Sequence, residues 1–272
     1  MIAELVDNTL NLATGRLISL LRRHVPELVS SLHLIGSAAD GNFRPGGSDL
    51  DFVAVLSRPA SDDDIEALVI VHRIYASDPT LPALDGIWVT EAELVAGPDA
   101  GGDGPTTRDN QFLRSARGNR NPVTSTMLRQ GALTIAGEID RSGLWHDPAR
   151  LASWTLENVE TYWTRWHARA SKPLRRHGLA MLGRAAPTWG VLGISRLHYT
   201  LATGRIASKS AAGEHALGSF EHRWRRIIEE CLRIRRGKHG SSYGSPFERR
   251  RDALDFVGTA IRTIRADHRP SE

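Results

Sequence analysis

The feature that most constrains the fold of this chain is a change of sequence pattern near Pro122. Before it, short apolar runs typical of strands alternate with segments of helical periodicity, and after it only helical periodicity is found. A mixed half followed by a helical half predicts an α+β protein. We predict a small mixed sheet with helices in a first domain, 1–120, and an all-α helical bundle in a second, 121–272.

The predicted elements follow from apolar spacing and turn residues. In the first half we predict helices over 3–24 and 62–75 and strands over 32–35, 50–56 and 84–90. Residues 97–122 are rich in Gly, Asp, Asn and Pro, which predicts a long loop. In the second half we predict five helices, over 123–137, 150–170, 187–203, 211–235 and 249–266.

The charge of the chain is divided between the same two halves. Residues 1–120 carry 10 Lys and Arg against 17 Asp and Glu, whereas residues 121–272 carry 25 against 14. Opposite signs suggest two domains that bind a shared partner. Arginine-rich, solvated helix faces explain the second half equally well, so both interpretations stay open.

Cysteine content and hydropathy indicate the compartment. Cys231 is the single cysteine, so no intramolecular disulfide is available, which fits a reducing environment. The N-terminus lacks the basic segment and cleavage site of a signal peptide. No uncharged apolar run reaches the ~18 residues of a membrane span. We therefore expect a cytoplasmic protein without membrane association.

The stretch with the clearest chemistry runs from a predicted strand through a glycine-rich loop to a second strand. It reads LHLIGSAADGNFRPGGSDLDFVAVL and contains Gly36-Ser37 and Ser48-Asp49-Leu50-Asp51. Side chains two apart in a strand point the same way, so the carboxylates of Asp49 and Asp51 converge. Paired carboxylates suit Mg²⁺, whose other ligands are often substrate phosphates. Gly36 permits close backbone approach, and Ser37 and Ser48 offer hydroxyl groups to phosphate.

A D-x-D pair by itself most often marks a turn or a strand end. Here the pair follows a strand, a Gly-Ser and a glycine-rich loop, and it begins an otherwise apolar strand. Two acids in such a strand are out of place unless they have a function. The context therefore favours a metal site over the structural alternative.

This stretch resembles the signature of the DNA-polymerase-β-like nucleotidyltransferase superfamily. More narrowly, the chain is similar to the streptomycin/spectinomycin 3″-adenylyltransferases, a branch of the aminoglycoside-modifying enzymes. MLRQGALTIAGE with LWHDP, and later SRLHYTLATGRIASKSAAGEHAL, match further segments of that family in the right order. The resemblance implies a nucleotidyltransferase domain followed by a helical domain, with Mg²⁺ and ATP as cofactor and co-substrate.

The resemblance also implies roles for particular acids. Asp49 and Asp51 match the pair that binds Mg²⁺–ATP, and Asp85 matches the third acid, which deprotonates the acceptor hydroxyl. Related enzymes have Glu at that place, and Asp has a shorter reach. The alternative is that Asp85 merely belongs to a turn before a strand, in which case Glu91 and Glu93 are the nearest substitutes.

In the helical half, Lys209 matches a family lysine that reaches the triphosphate, and Arg196 matches an arginine near the nucleotide. The alternative for Arg196 is a structural salt bridge. Two positions depart from the family: a tyrosine that contacts the nucleotide is replaced at about Arg235, and the acid that meets the cationic drug is absent from 183–189. A basic half also disfavours a tricationic acceptor.

Three tryptophans, Trp154, Trp163 and Trp166, share one segment, and their spacing favours core packing over a platform for stacking. The arginine clusters at 223–226 and 249–251 come without an RNA-binding signature, which argues against a nucleic-acid partner.

We thus predict a monomeric adenylyltransferase that transfers AMP from ATP to a hydroxyl of a small molecule, an aminoglycoside-type acceptor by resemblance. Two alternatives stay open: a catalytically silent nucleotide-binding or regulatory protein of the same fold, and transfer to a nucleic-acid or protein acceptor.

Overall fold

The computed structural model describes residues 2–268, and the fold class predicted from the sequence is confirmed: a mixed sheet with helices is followed by helices alone. Chain contacts separate two units, of which the first ends at Asp147 and the second begins at Pro148. Within residues 2–268, no helix combines the length and apolarity that crossing a membrane requires.

The first unit is a six-stranded sheet with helices. Its elements are α1 (Ile2–His24), β1 (Val29–Leu34), α2 (Gly36–Ala39), β2 (Leu50–Leu56), α3 (Asp62–Ala76), β3 (Leu84–Thr90), α4 (Glu91–Ala96), β4 (Gly104–Arg108), β5 (Gln111–Ala116), α5 (Pro122–Gly131) and β6 (Leu133–Ala136). The strand order is β5-β4-β3-β2-β1-β6. Strands β2 and β3 are parallel, and the other neighbours are antiparallel.

Alternation along β2 sends side chains to two different cores. Leu50, Phe52 and Ala54 join the buried cluster that also contains side chains of α1 and α3. Val53 and Val55 join a second cluster with Leu128 of α5. Since both faces are covered, the whole strand reads as apolar in the sequence. Asp51 is the exception, on the α5 face at the start of the strand.

The second unit is all-helical. It contains α6 (Pro148–Asn158), a π-helical turn (Val159–Trp163), α7 (Thr164–Ala170), α8 (Arg176–Ala180), α9 (Ala185–Thr203), α10 (Lys209–Ser219), a 3-10 turn (His222–Trp224), α11 (Arg225–Arg235) and α12 (Pro246–Asp267). Its core surrounds α9, whose Val191, Leu192 and Ile194 are fully buried. Glu230 of α11, also fully buried, accepts hydrogen bonds from Arg233 and from the 241–242 segment.

The predicted long loop over 97–122 is wrong, because it contains the hairpin β4–β5. Asp109 and Asn110 form its tip, with φ of 48° and 63°. Two left-handed residues make the tight turn that suits a hairpin, and Asp and Asn tolerate them best after glycine. The sequence of β5 shows no apolar alternation typical of a strand, because β5 lies at the sheet edge and its residues are mostly exposed and polar.

Two of the predicted helices are also wrong in extent. The helix predicted over 123–137 ends at Gly131, and β6 follows it and pairs with β1. The helix predicted over 211–235 is two helices, because the backbone is extended at Phe220.

Since α5 and β6 belong to the sheet unit, the predicted boundary between 120 and 121 falls inside the first unit rather than at its end.

Candidate active site

The predicted acidic residues come together at one end of two parallel strands. Asp51 on β2 is in register with Asp85 on β3, so the two carboxylates leave the same face of the sheet. Asp49 lies immediately before β2 and is exposed, whereas Asp51 and Asp85 are half-buried. Asp85 and Gly86 lie inside β3, which excludes the alternative that they form a turn before the strand.

Gly36 approaches the Asp51 carboxylate more closely than any other residue type could. It has a φ of 62°, and a Cβ at this position would lie 2.5 Å from Asp51 Oδ2. The Asp51 carboxylate therefore occupies the space that a side chain at this position would need. On the neighbouring strand, a Cβ on Gly86 would lie 2.4 Å from the Phe52 carbonyl oxygen, so glycine is required there for β2 and β3 to pack.

The loop between β1 and β2 is held by its own hydrogen bonds. Ser48 Oγ accepts from the Arg44 backbone N–H at 3.1 Å, and the Ser48 N–H donates to the Arg44 carbonyl at 2.9 Å. Ser37 lies in α2, and its carbonyl accepts from the Asn42 N–H at 2.9 Å. Both predicted serines thus flank the loop that leads into Asp49.

Asp85 has the electrostatic environment expected of a proton acceptor. Burial raises its pKa to about 6, with Asp109 and Asp49 contributing in the same direction and Arg108 opposing them. Asn119 Nδ2 donates a hydrogen bond to Asp85 Oδ1 at 2.7 Å, which also opposes the rise. A carboxyl that titrates near neutral pH suits general-base chemistry.

Asn119 and Arg108 are neighbours of Asp85 that the sequence analysis missed. Arg108 ends β4, and Asn119 lies in the segment after β5. Both fall in the stretch that was predicted as one long loop, and neither belongs to a motif that places it beside β3. The one local signal is the Asp109-Asn110 pair, since these residue types favour a hairpin turn, and such a turn returns the segment to the sheet.

The two substitutes for Asp85 lie at the other end of β3. Glu93 Oε2 accepts from the Thr90 N–H at 2.7 Å and from Thr90 Oγ1 at 2.8 Å, so it caps α4. Glu91 is exposed in the first turn of the same helix. Neither side chain is placed beside Asp51.

The predicted basic residues both belong to the second unit. Lys209 is the first residue of α10, and its Nζ lies 4.0 Å from the centroid of the Trp189 ring on α9. Arg196 is half-buried on α9, two turns beyond Trp189 and therefore on the same side of that helix. The 183–189 stretch contains Arg184 and an exposed Trp189 in place of the family's acid.

The donor chemistry of Asp49 and Asp51 can be compared with the ligands that Mg²⁺ requires. Asp49 and Asp51 supply hard oxygen donors. In the part of the chain that the structure describes, no group of three or more His, Cys, Asp or Glu side chains is arranged to hold a metal ion by itself. Two carboxylates fit the way in which Mg²⁺ is bound together with substrate phosphates.

Comparisons with known proteins match both units. Residues 16–90 match the family described as nucleotidyltransferase domain. Residues 177–257 match the family described as aminoglycoside adenylyltransferase, C-terminal domain. The first match contains Asp49, Asp51, Asp85 and the predicted phosphate-loop residues, and the second contains Arg196 and Lys209.

Among solved structures, the chain is similar to the spectinomycin adenyltransferase AAD(9) from Enterococcus faecialis, crystallised with ATP and spectinomycin. The TM-score is 0.63 at 17% sequence identity, over 92% of this chain and 98% of that chain. At this identity the likeness shows a shared fold. No curated protein sequence matches the chain significantly.

The family match at residues 16–90 supports a nucleotidyltransferase. Together with the matched C-terminal segment, it supports more narrowly an aminoglycoside adenylyltransferase-like enzyme.

Proposed function

We propose that the enzyme transfers AMP from ATP, with Mg²⁺, to a hydroxyl group of an antibiotic of the spectinomycin or aminoglycoside type. The observation that carries the proposal is the register of Asp51 with Asp85 across two parallel strands, with Asp49 two residues before Asp51. This arrangement separates a pair of acids suited to a metal from a third acid suited to a proton.

Asp49 and Asp51 are the residues that would hold Mg²⁺, and glycine at position 36 lets the Asp51 carboxylate keep its place. When bound, Mg²⁺ would neutralise charge on the triphosphate and align its α-phosphate. Ser37 and Ser48 would contact phosphate oxygens from the loop that leads into Asp49.

The proton of the acceptor hydroxyl would pass to Asp85. Its pKa of about 6 leaves the carboxyl ionised at neutral pH yet basic enough to accept a proton. The hydroxyl oxygen then forms a bond to the α-phosphorus, and the bond between that phosphorus and the bridging oxygen of pyrophosphate breaks. Asn119 keeps Asp85 in position through its bond to Oδ1, which leaves Oδ2 for the acceptor.

The roles of Lys209 and Arg196 are proposed from the family resemblance and from their place in the matched C-terminal segment. Lys209 would stabilise the charge that develops on the leaving pyrophosphate, and Arg196 would contact the nucleotide.

For the acceptor, charge favours a compact, weakly charged antibiotic over a tricationic one. Residues 161–213 contain nine Lys and Arg and no Asp or Glu, and like charges disfavour the encounter with a cationic drug. The fold relative AAD(9) was crystallised with spectinomycin. Spectinomycin is therefore the first acceptor to test.

The experiment is pyrophosphate release from each of the four nucleoside triphosphates, with Mg²⁺, across a panel of spectinomycin, streptomycin and other aminoglycosides. We expect release from ATP with spectinomycin and its loss in Asp51→Asn. Asp63→Asn, which changes an exposed acid of α3, is the matched control and should retain activity. Absence of turnover with every pair would favour the silent, regulatory alternative.

A further inference from the structure

The second unit has an open groove that the proposed reaction does not use. Its volume is about 450 Å³, within the range of small-ligand sites. The groove, which we name the Arg165 groove, is lined by Thr161, Tyr162, Arg165, Trp166, Arg169 and His177. It shares no residue with the predicted basic pair of Arg196 and Lys209.

The aromatic walls of the groove are produced by an irregular turn. The π-helical turn Val159–Trp163 inserts between α6 and α7, and such turns are frequent at functional sites. Within it, Trp163 is buried in the core while the neighbouring Tyr162 is 45% exposed. The two rings meet edge to face at 5.4 Å, so the core tryptophan supports an exposed ring.

Trp166 forms the second aromatic wall and is fixed by packing. Its ring lies against Gly190 of α9, where a Cβ would come within 2.4 Å of the ring. Glycine at that point lets the helix accept the ring edge, and Trp166 stays half-exposed along the groove. The Trp163 and Trp166 rings are 5.7 Å apart. The predicted core role is thus right for Trp163, while Trp166 both packs and lines a groove.

The lining of the groove contains two arginines and a histidine and no Asp or Glu. Arg165 and Arg169 are four residues apart on α7 and therefore share one helix face, and His177 comes from α8. Both arginines are exposed, and within residues 2–268 neither guanidinium forms an ion pair. The nearest acids before Thr161 in the chain are Glu157 and Glu160, and they form ion pairs with Arg150 and Arg265 outside the lining.

We propose that the Arg165 groove binds a nucleotide unit, a planar base that carries a phosphate. The two guanidinium groups match phosphate oxygens in charge and in hydrogen-bond geometry. Tyr162 and Trp166 offer ring faces or edges to a base, and a volume of about 450 Å³ accommodates one such unit. The unit can belong to a free nucleotide or to single-stranded nucleic acid, because both present the same chemistry.

The first test measures binding of AMP and of a short uridine RNA to the full chain in EDTA. We expect the double variant Arg165→Ala/Arg169→Ala to lose roughly tenfold or more in affinity, since two charge-assisted hydrogen-bonding partners are removed. For the RNA, the slope of log affinity against log salt should fall by about 1.4, about 0.7 per lost phosphate contact. Arg22→Ala/Arg23→Ala removes the same charge from exposed positions of α1 and should change affinity by less than about twofold.

The second test concerns the base. Tyr162→Ala should weaken binding by roughly fivefold or more, because a stacked base is lost, whereas Tyr162→Phe should bind as the parent does. Tyr162 is an exposed side chain, so its truncation leaves the core intact. Equal affinity in the parent and in Tyr162→Ala would overturn the base contact.

The third test separates this groove from the proposed catalytic site. In EDTA, Asp51→Asn should bind AMP and RNA as well as the parent does. AMP binding that survives in Arg165→Ala/Arg169→Ala and disappears in Asp51→Asn would overturn the proposal, as would failure of both probes to bind the parent. Binding of RNA alone would assign the groove to a nucleic-acid strand, and binding of both probes would assign it to nucleotides in general.

Discussion

The Asp85→Asn substitution should make the enzyme inactive and more stable at the same time. Asp85 is held in an environment that raises its pKa from the ordinary 3.8 to about 6, so the folded state disfavours its charge. Asparagine has nearly the same shape, and its side-chain oxygen can still accept the hydrogen bond from Asn119. The variant therefore removes the charge and leaves the packing.

The size of the effect follows from the pKa. A rise from 3.8 to about 6 corresponds to about 3 kcal/mol against folding when the carboxyl is fully ionised, at about 1.4 kcal/mol per pH unit. Asp85 is only half-buried, and solvent screening reduces this to about 1–2 kcal/mol. The pKa of Asp85 is higher in the folded state than in the unfolded state. Its contribution to the free energy of unfolding is therefore fully present below pH 3.8 and is lost as the pH rises through 6.

The assay is calorimetric melting of the parent and of Asp85→Asn between pH 5 and pH 8. We expect the variant to melt about 2–6 °C higher at pH 8 and by about half that margin at pH 5, since half of the cost has already appeared there. Pyrophosphate release should fall by about two to four orders of magnitude, the usual contribution of a general base. A variant that melts at or below the parent temperature at every pH would show that the folded state does not disfavour the charge on Asp85.

Three further substitutions test other parts of the structure. Asn119→Ala should lower kcat about tenfold with little change in the KM for ATP. It should also move the acidic limb of the pH profile to higher pH, because the hydrogen bond that favours the ionised form of Asp85 is lost. An unchanged pH profile would show that Asn119 has no positioning role. Gly36→Ala should reduce turnover by about a hundredfold, because the new Cβ displaces Asp51. Gly41→Ala is the control: its backbone has a similar positive φ, but no atom lies within 4 Å of the new Cβ, so this variant should stay active. Equal activities of the two variants in an enzyme assay would contradict this role of Gly36. Glu230→Ala should lower the free energy of unfolding by about 3 kcal/mol in urea titration, because a fully buried carboxylate is removed and its hydrogen-bonding partners are left without it. A loss below about 1 kcal/mol would show that this network does not stabilise the fold.

The parts of the fold that could be predicted from the sequence are those with strong periodicity and clear ends. The helix Asp62–Ala76 is predicted almost to its ends, because three acids begin it and Ser61 caps it with Asp64. The strand Leu50–Leu56 is predicted residue for residue, because burial on both faces makes it apolar throughout.

The parts that could not be predicted depend on tertiary pairing. The edge strand Gln111–Ala116 is exposed and polar, so its sequence carries no apolar alternation. Leu133–Ala136 adopts a strand because it pairs with β1, which a local pattern cannot reveal.

The same division applies to the candidate site. The pair at 49 and 51 could be proposed from its spacing together with its sequence context, and Asp85 from its place in a family pattern. Its neighbours Asn119 and Arg108 could not, because a hairpin brings them back to β3 from a segment without a recognisable motif. The neighbours of Asp85 are thus set by the topology of the sheet, whereas the motif itself is visible in the sequence.

The most direct test of the account is the fate of the α-phosphate in Asp49→Asn and Asp51→Asn. With Mg²⁺, spectinomycin and α-labelled ATP, the parent should release pyrophosphate and transfer the label to the antibiotic, and each variant should lose both while Asp63→Asn keeps both. Transfer of the label by Asp51→Asn at the parent rate would contradict the claim that these carboxylates form the catalytic centre.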